Sequence, residues 1–200
     1  MKKYILVFLF PLLTITPSRA QWGIDAFAFM VQAIATCDEG GYEYKQTLFR
    51  DRVGEFHGVK FAWAPGQKFT LGMSAYFGSN LVHPWNSNDA HRLIMSYATV
   101  YGEYHFRKEE KFYNWSALLH VGRGYSTISG SNIPSNFQNS SAFWVFEPGI
   151  NFNICAFRFL RFNAGASYRV VSGARLYGQS DGSLSGPCLN VGLTISGRGF

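Results

Sequence analysis

Charge is scarce in this chain: only 15% of its 200 residues are Asp, Glu, Lys or Arg. The formal net charge is +6, and three of those charges, Lys2, Lys3 and Arg19, sit in the first 20 residues. What remains is too small a positive excess to suggest a nucleic-acid partner. Long hydrophobic runs are also missing. After the N-terminal segment nothing approaches the ~18 consecutive apolar residues of a membrane helix. Cysteine is limited to Cys37, Cys155 and Cys188. None of them follows residue 20 directly, so a lipid-anchored N-terminus is not indicated. No Cys or His spacing typical of a metal site is found, and no cofactor is expected.

What the chain has in quantity is aromatic residues, 18% of the total, with 19 Phe and 11 Tyr. It opens MKKYILVFLFPLLTITPSRA, two lysines followed by an uncharged run and then Pro17, Ser18 and Ala20. That order predicts a secretory signal peptide over residues 1–20, with cleavage before Gln21 and a single domain over 21–200.

Strict alternation then recurs along the chain. In FNAGASYRVVSG, Phe162, Ala164, Ala166, Tyr168 and Val170 share one parity, and Asn163, Gly165, Ser167 and Arg169 the other. KFTLGMSAYFG sets Phe69, Leu71, Met73, Ala75 and Phe77 against Thr70, Gly72, Ser74 and Tyr76. The segments around 59–63, 93–106, 112–126, 143–154 and 188–196 behave likewise. Such a period of two places one face of each strand in an apolar medium and the other in a polar one.

Seven strands follow from residue 53 onward. Residues 24–36, IDAFAFMVQAIAT, supply an eighth if they are extended, although Phe27, Val31 and Ile34 also suit an amphipathic helix. An even strand count favours the strand. Short connections near 65–67, 107–111 and 156–160 alternate with long polar ones near 37–51, 79–91, 127–141 and 173–186. This asymmetry predicts an all-β, eight-stranded antiparallel up-and-down transmembrane β-barrel, with the short turns on the periplasmic side. Trp63, Trp115, Trp144, Tyr104, Tyr113 and Phe106 have outward parity near strand ends, where interfacial aromatic girdles belong.

The interior of an eight-stranded barrel is filled by side chains or by one small ligand. Lys60, Glu103, His105, His120, Glu147, Arg161 and Arg169 all have inward parity, which predicts a lumen filled by a mixed-charge hydrogen-bond network. With Phe157 to Phe159 as a turn, Glu147 faces Arg169 across the hairpin and the two are expected to pair, with Gly149, Gly165 and Ser167 leaving room. Cys37 and Cys188 become outer-rim neighbours if 24–36 is the first strand, and a disulfide between them is one reading, three separate thiols the other. Loop 79–91 holds His83, Ser87, Asp89 and His91, the residue types of a hydrolase, in a pattern that polar loop tips also adopt.

FEPGINFNI, FRFLRFNAGASYRVVSG and the closing LNVGLTISGRGF resemble the last three strands of small eight-stranded outer-membrane β-barrel proteins of Gram-negative bacteria. The resemblance covers roughly residues 92–200. It implies a barrel inserted by the barrel-assembly machinery, with Phe200 as the terminal aromatic insertion signal. Phe200 departs from the parity of Leu193 and Ile195, so a bulge at Gly197 or Gly199 restores the register or the ring points inward. The expected protein is a monomeric, non-enzymatic outer-membrane barrel in contact with lipid and lipopolysaccharide, presenting extracellular loops. A lipid-modifying enzyme using loop 79–91 and a soluble lipocalin-like carrier are the alternatives.

Overall fold

The computed structural model describes residues 37–49, 52–66, 68–82, 91–106, 112–129, 140–157, 159–176 and 180–196. They form eight strands: β1 Glu39–Phe49, β2 Arg52–Gly66, β3 Phe69–Val82, β4 His91–His105, β5 Tyr113–Ser129, β6 Ser140–Phe157, β7 Leu160–Ser172 and β8 Gly186–Ser196. Each pairs antiparallel with the next, and β8 pairs back onto β1, closing the sheet into an up-and-down barrel. Closure removes both sheet edges, so every strand can satisfy its backbone groups within the wall.

The alternation read from the sequence becomes an inside and an outside. Along β6, Phe143, Val145 and Glu147 are each at most 1% exposed, whereas Trp144 is 59% and Phe146 47% exposed. The outer surface is therefore apolar and aromatic, the reverse of a water-soluble β-protein. Trp63, Tyr104, Phe106, Tyr113 and Trp115 are exposed at one end of the wall, and Tyr125, Trp144 and Tyr168 toward the other. Two aromatic belts separated by aliphatic side chains match the two interfaces and the hydrocarbon between them.

Two expectations are corrected by the wall. The first strand is Glu39–Phe49, not 24–36, which lie outside the described residues along with the predicted signal peptide and Phe200. Consequently 37–51 is not a long loop: pairing continues to Phe49 opposite Arg52, leaving only residues 50 and 51 between β1 and β2. The second correction concerns the cysteines. Thr47 near the outer end of β1 pairs with Cys188, while Cys37 precedes the inner end at Glu39. Some eight extended residues lie between, roughly 25 Å at ~3.3 Å per residue, against the ~7 Å limit for bridged Cα atoms. Cys37 and Cys188 are therefore not joined to each other.

The β7–β8 connection carries a short helix, α1, Asp181–Leu184. Ser180 caps it: its hydroxyl accepts from the Ser183 N–H at 3.3 Å, and the Ser183 hydroxyl accepts from the Ser180 N–H at 2.9 Å. Gly173 has a φ of 87°, a left-handed conformation that favours glycine, and turns the chain so that its own N–H and that of Ala174 reach the Asp181 carboxylate at 2.9 and 2.7 Å. Pinned this way, the loop turns Ala174, Leu176 and Leu184 into the outer mouth of the barrel.

Candidate functional site in the barrel interior

The inward face of the wall sorts by height. At the outer end, Phe49, Phe56, Leu93, Met95, Ile128 and Phe143 form one buried apolar cluster with the loop residues Ala174, Leu176 and Leu184. These positions fall at the outer ends of β1, β2, β4, β5 and β6, so the cluster occupies the outer end of the lumen. Glycines on the inner face let large rings lie flat against the backbone. A Cβ at Gly58 would run into the Tyr76 ring, and one at Gly124 into the Phe143 ring.

Below this cap the interior is polar and charged. Lys45 is the hub: its Nζ lies 2.6 Å from Glu147 Oε1 and 3.3 Å from Glu43 Oε1. Glu43 also receives Lys60 at 2.9 Å and the Tyr76 hydroxyl at 2.8 Å, and the Lys45 ammonium stands 4.0 Å above the Tyr76 ring. The Ser167 hydroxyl donates to Glu147 at 2.6 Å. His120 Nδ1 lies 3.0 Å from the Thr99 hydroxyl and 3.2 Å from that of Ser74, with the Tyr101 ring 5.0 Å away.

Nearer the short turns, Arg161 pairs with Glu39 at 2.8 Å, and Ser116 donates to Glu103. Asn153 donates to Ser116 at 2.7 Å and to Asn114 at 3.2 Å; His105 lies 3.3 Å from the Thr70 hydroxyl. A cleft at this end, bordered by Glu39, Lys60, Tyr101, Glu103, Arg161 and Asn163, has an inner volume of about 10 Å³. That is room for a single water.

All seven charged or histidine residues given inward parity by the sequence are buried: Lys60, Glu103, His105, His120, Glu147, Arg161 and Arg169. The network also contains Glu39, Glu43 and Lys45, which the sequence reading placed in a loop. Their signal was present as Glu39, Gly41, Glu43, Lys45 and Thr47 on one parity and Tyr42, Tyr44, Gln46 and Leu48 on the other. Among the described residues, four buried carboxylates (Glu39, Glu43, Glu103 and Glu147) meet four buried cations (Lys45, Lys60, Arg161 and Arg169), so the charged side chains cancel. An isolated charge at such depth would cost several kcal/mol, which pairing and hydrogen bonding offset.

The expected Glu147 to Arg169 pair is not made. The β6–β7 register is the one anticipated, with Asn153 opposite Asn163 and Asn151 opposite Gly165, although a bulge between Cys155 and Phe157 shortens the turn. Glu147 nonetheless engages Lys45, which arrives from across the barrel. Arg169 is fully buried and donates through Nη2 to the Thr47 hydroxyl at 3.0 Å. Its guanidinium lies 4.7, 5.1 and 5.8 Å from the rings of Phe56, Phe49 and Tyr97, a set of cation–π contacts. The space expected beside it is taken as well: a Cβ at Gly149 would meet Ser167, and one at Gly165 would meet Asn151.

Outside the barrel, Arg123 lies with its guanidinium 5.6 Å from the Trp144 ring. The side chains of His83, Ser87, Asp89 and His91 fall outside the described residues. Among the described residues no group of three or more His, Cys, Asp or Glu is placed to hold a metal ion.

A closed eight-stranded antiparallel wall, apolar outside and charged inside, decides the architecture. The fold is that of the small outer-membrane β-barrels. Solved structures of this kind resemble it at low sequence identity. Neisserial surface protein A superposes with a TM-score of 0.53 at 8% identity, over 79% of this chain and 94% of that one. The N-terminal barrel domain of Pseudomonas aeruginosa OprF gives 0.48 at 12% identity, over 80% and 97%. Ail, the attachment invasion locus protein of Yersinia pestis, gives 0.46 at 12%, over 78% and 94%. No family model matches the chain, and no curated protein matches it.

Proposed function

We propose that this small outer-membrane barrel is exported by its N-terminal signal peptide and inserted into the outer membrane by the barrel-assembly machinery. Lipid and lipopolysaccharide surround its wall. Its interior is a plug and not a passage, and its work is done by the segments joining the strands at the outer end, which it presents for surface or envelope contacts without catalysis.

The observation that carries this reading is the filling of the lumen: paired charges through its lower part and an apolar cap above them. A water path would need a column of solvated polar groups, whereas Phe49, Phe56, Leu93, Met95, Ile128 and Phe143 interrupt it at the mouth. The rigid wall then acts as a mount for its connections, among them the segment carrying α1, which is tied to β7 through the Ser185 hydroxyl accepting from the Val171 N–H.

Two measurements on one preparation test the proposal. Folded protein, recognised by its heat-modifiable gel mobility, is expected to give no steady conductance in planar bilayers. On intact cells, external protease is expected to cut near 79–91 and 127–141 and to leave the barrel intact. Steady channels of porin-like conductance would overturn the plugged interior, and loops cleaved only after the envelope is broken would overturn the surface role.

A further inference from the structure

Between the two aromatic belts the outer surface of the wall carries one cation among the described residues, Arg123 on β5. It is exposed and lies directly opposite Trp144 on β6, with its guanidinium 5.6 Å from the indole ring. On β4, Ala98 is opposite Arg123 and Ser96 is opposite Tyr125; on β6, Ala142 is opposite Tyr125. Ser96, Ala98 and Ala142 are small and exposed, and they leave the guanidinium uncovered between two larger rings, Tyr125 at 50% and Trp144 at 59% exposure. The polar groups gathered here are the guanidinium, the indole N–H and the hydroxyls of Tyr125 and Ser96. All of them can donate, and among the described residues no outward position of β4, β5 or β6 holds Asp or Glu.

If the outer-membrane reading above holds, on which this inference rests, the depth of the group follows from its strand. Trp115, in the belt near the short turns, is eight residues from Arg123 along β5. At ~3.3 Å per residue and a strand tilt of ~40°, that is about 20 Å of height. The apolar band of such barrels is ~25 Å tall, so Arg123 is rooted just below the outer boundary and its side chain reaches the headgroup layer. A guanidinium that only snorkelled would extend upward into water. This one is held against Trp144, a ring of the outer belt, which keeps it at the level of the lipid headgroups.

We infer that Arg123, with Trp144, Tyr125 and Ser96, is a docking site for a phosphate of lipopolysaccharide in the outer leaflet. A guanidinium presents a planar fork of N–H donors that matches phosphate oxygens two at a time, and contact with the indole holds that fork in place. The hydroxyls of Tyr125 and Ser96 serve the remaining oxygen. The excess of donors decides which lipid fits. The phosphate monoester on the sugar of lipopolysaccharide offers three acceptor oxygens and nearly two negative charges, whereas the diester of a phospholipid carries one charge. The two rings also give the sugar an apolar face to lie against. The far side of the barrel has no such excess, because Glu55 is outward on β2.

The test titrates lipid A, the phosphorylated anchor of lipopolysaccharide, into the full mature protein folded in uncharged detergent, with bound lipid read by native mass spectrometry. Wild type is expected to bind lipid A bearing its phosphates roughly tenfold more tightly than the phosphate-free form. Arg123→Leu, an apolar side chain on the lipid-facing surface, should keep the fold and abolish that preference. Arg123→Lys, which supplies the charge without the fork, should retain only part of it. Trp144→Leu should weaken binding about threefold. His57→Val on β2 should leave it unchanged. Equal affinity of wild type for the two forms of lipid A overturns the inference, as does an Arg123→Leu variant that still prefers the phosphorylated form. Phosphatidylglycerol that competes as well as lipid A also overturns it, assigning the arginine to anionic lipid of any kind. All of these are read on protein with heat-modifiable mobility. Should the mature chain stay soluble without detergent, it is the membrane reading itself that fails.

Discussion

The two halves of the lumen solve the same packing problem by opposite means. The outer half is filled by rings and aliphatic chains that require no particular partner, with Arg169 held among Phe49, Phe56 and Tyr97. The lower half is filled by charges and amides, and nearly every side chain there has a named partner. Apolar packing tolerates exchange of shape for similar shape, whereas a buried ion pair fails as soon as one member is removed. The lower half should therefore be brittle to single substitutions and forgiving of paired ones, and the outer half should respond in proportion to lost volume.

The largest effect is expected at the hub. Lys45→Met leaves Glu147 with only the Ser167 hydroxyl and should destabilise the barrel by about 3–5 kcal/mol. Replacing Glu147 with Gln in the same chain should recover much of that loss. Urea unfolding in detergent, followed by tryptophan fluorescence, measures both; equal stability of the single and double variants would remove the pair as a cause.

Next comes Phe56→Ala in the outer cluster, which opens a cavity beneath the cap and should cost about 3–4 kcal/mol by the same assay. No second substitution in the polar half should rescue it. Gly58→Ala follows, since the added methyl presses on the Tyr76 ring and so disturbs the Tyr76 to Glu43 hydrogen bond; a loss of about 1–3 kcal/mol is expected. Arg169→Met should matter least, within about 1 kcal/mol in either direction. The guanidinium gives one hydrogen bond, to Thr47, and sits among rings that also accept a thioether. A loss as large as that of Lys45→Met would show that the outer half depends on charge as much as the lower half does.

The walls were legible in the sequence where their two faces differ. Along β3, Phe69, Leu71 and Phe77 against Thr70 and Ser74 leave no doubt about which side meets hydrocarbon, and β6 and β7 read in the same way. Strand β1 did not read, because its outward Tyr42, Tyr44 and Gln46 are scarcely more apolar than its inward Gly41, Glu43 and Lys45. Parity fades when the outward side chains themselves carry polar groups, as Tyr42, Tyr44 and Gln46 do on β1. Losing β1 carried other errors with it. It removed Lys45 from the list of partners for Glu147, and it moved Cys37 to the wrong end of the barrel.

What the sequence by itself determined is the direction of each side chain, because alternation is a property of one extended strand and needs no knowledge of its neighbours. It therefore identified Glu147 and Arg169 as inward and placed them opposite each other. Which charge meets which was settled only when the sheet closed. Closure brought Lys45 to Glu147 across 102 residues of chain, and Arg161 to Glu39 across 122. Inside so narrow a barrel, strands that are not neighbours in the sheet face one another across the lumen, and the shortest path between two charges crosses the interior instead of following the wall.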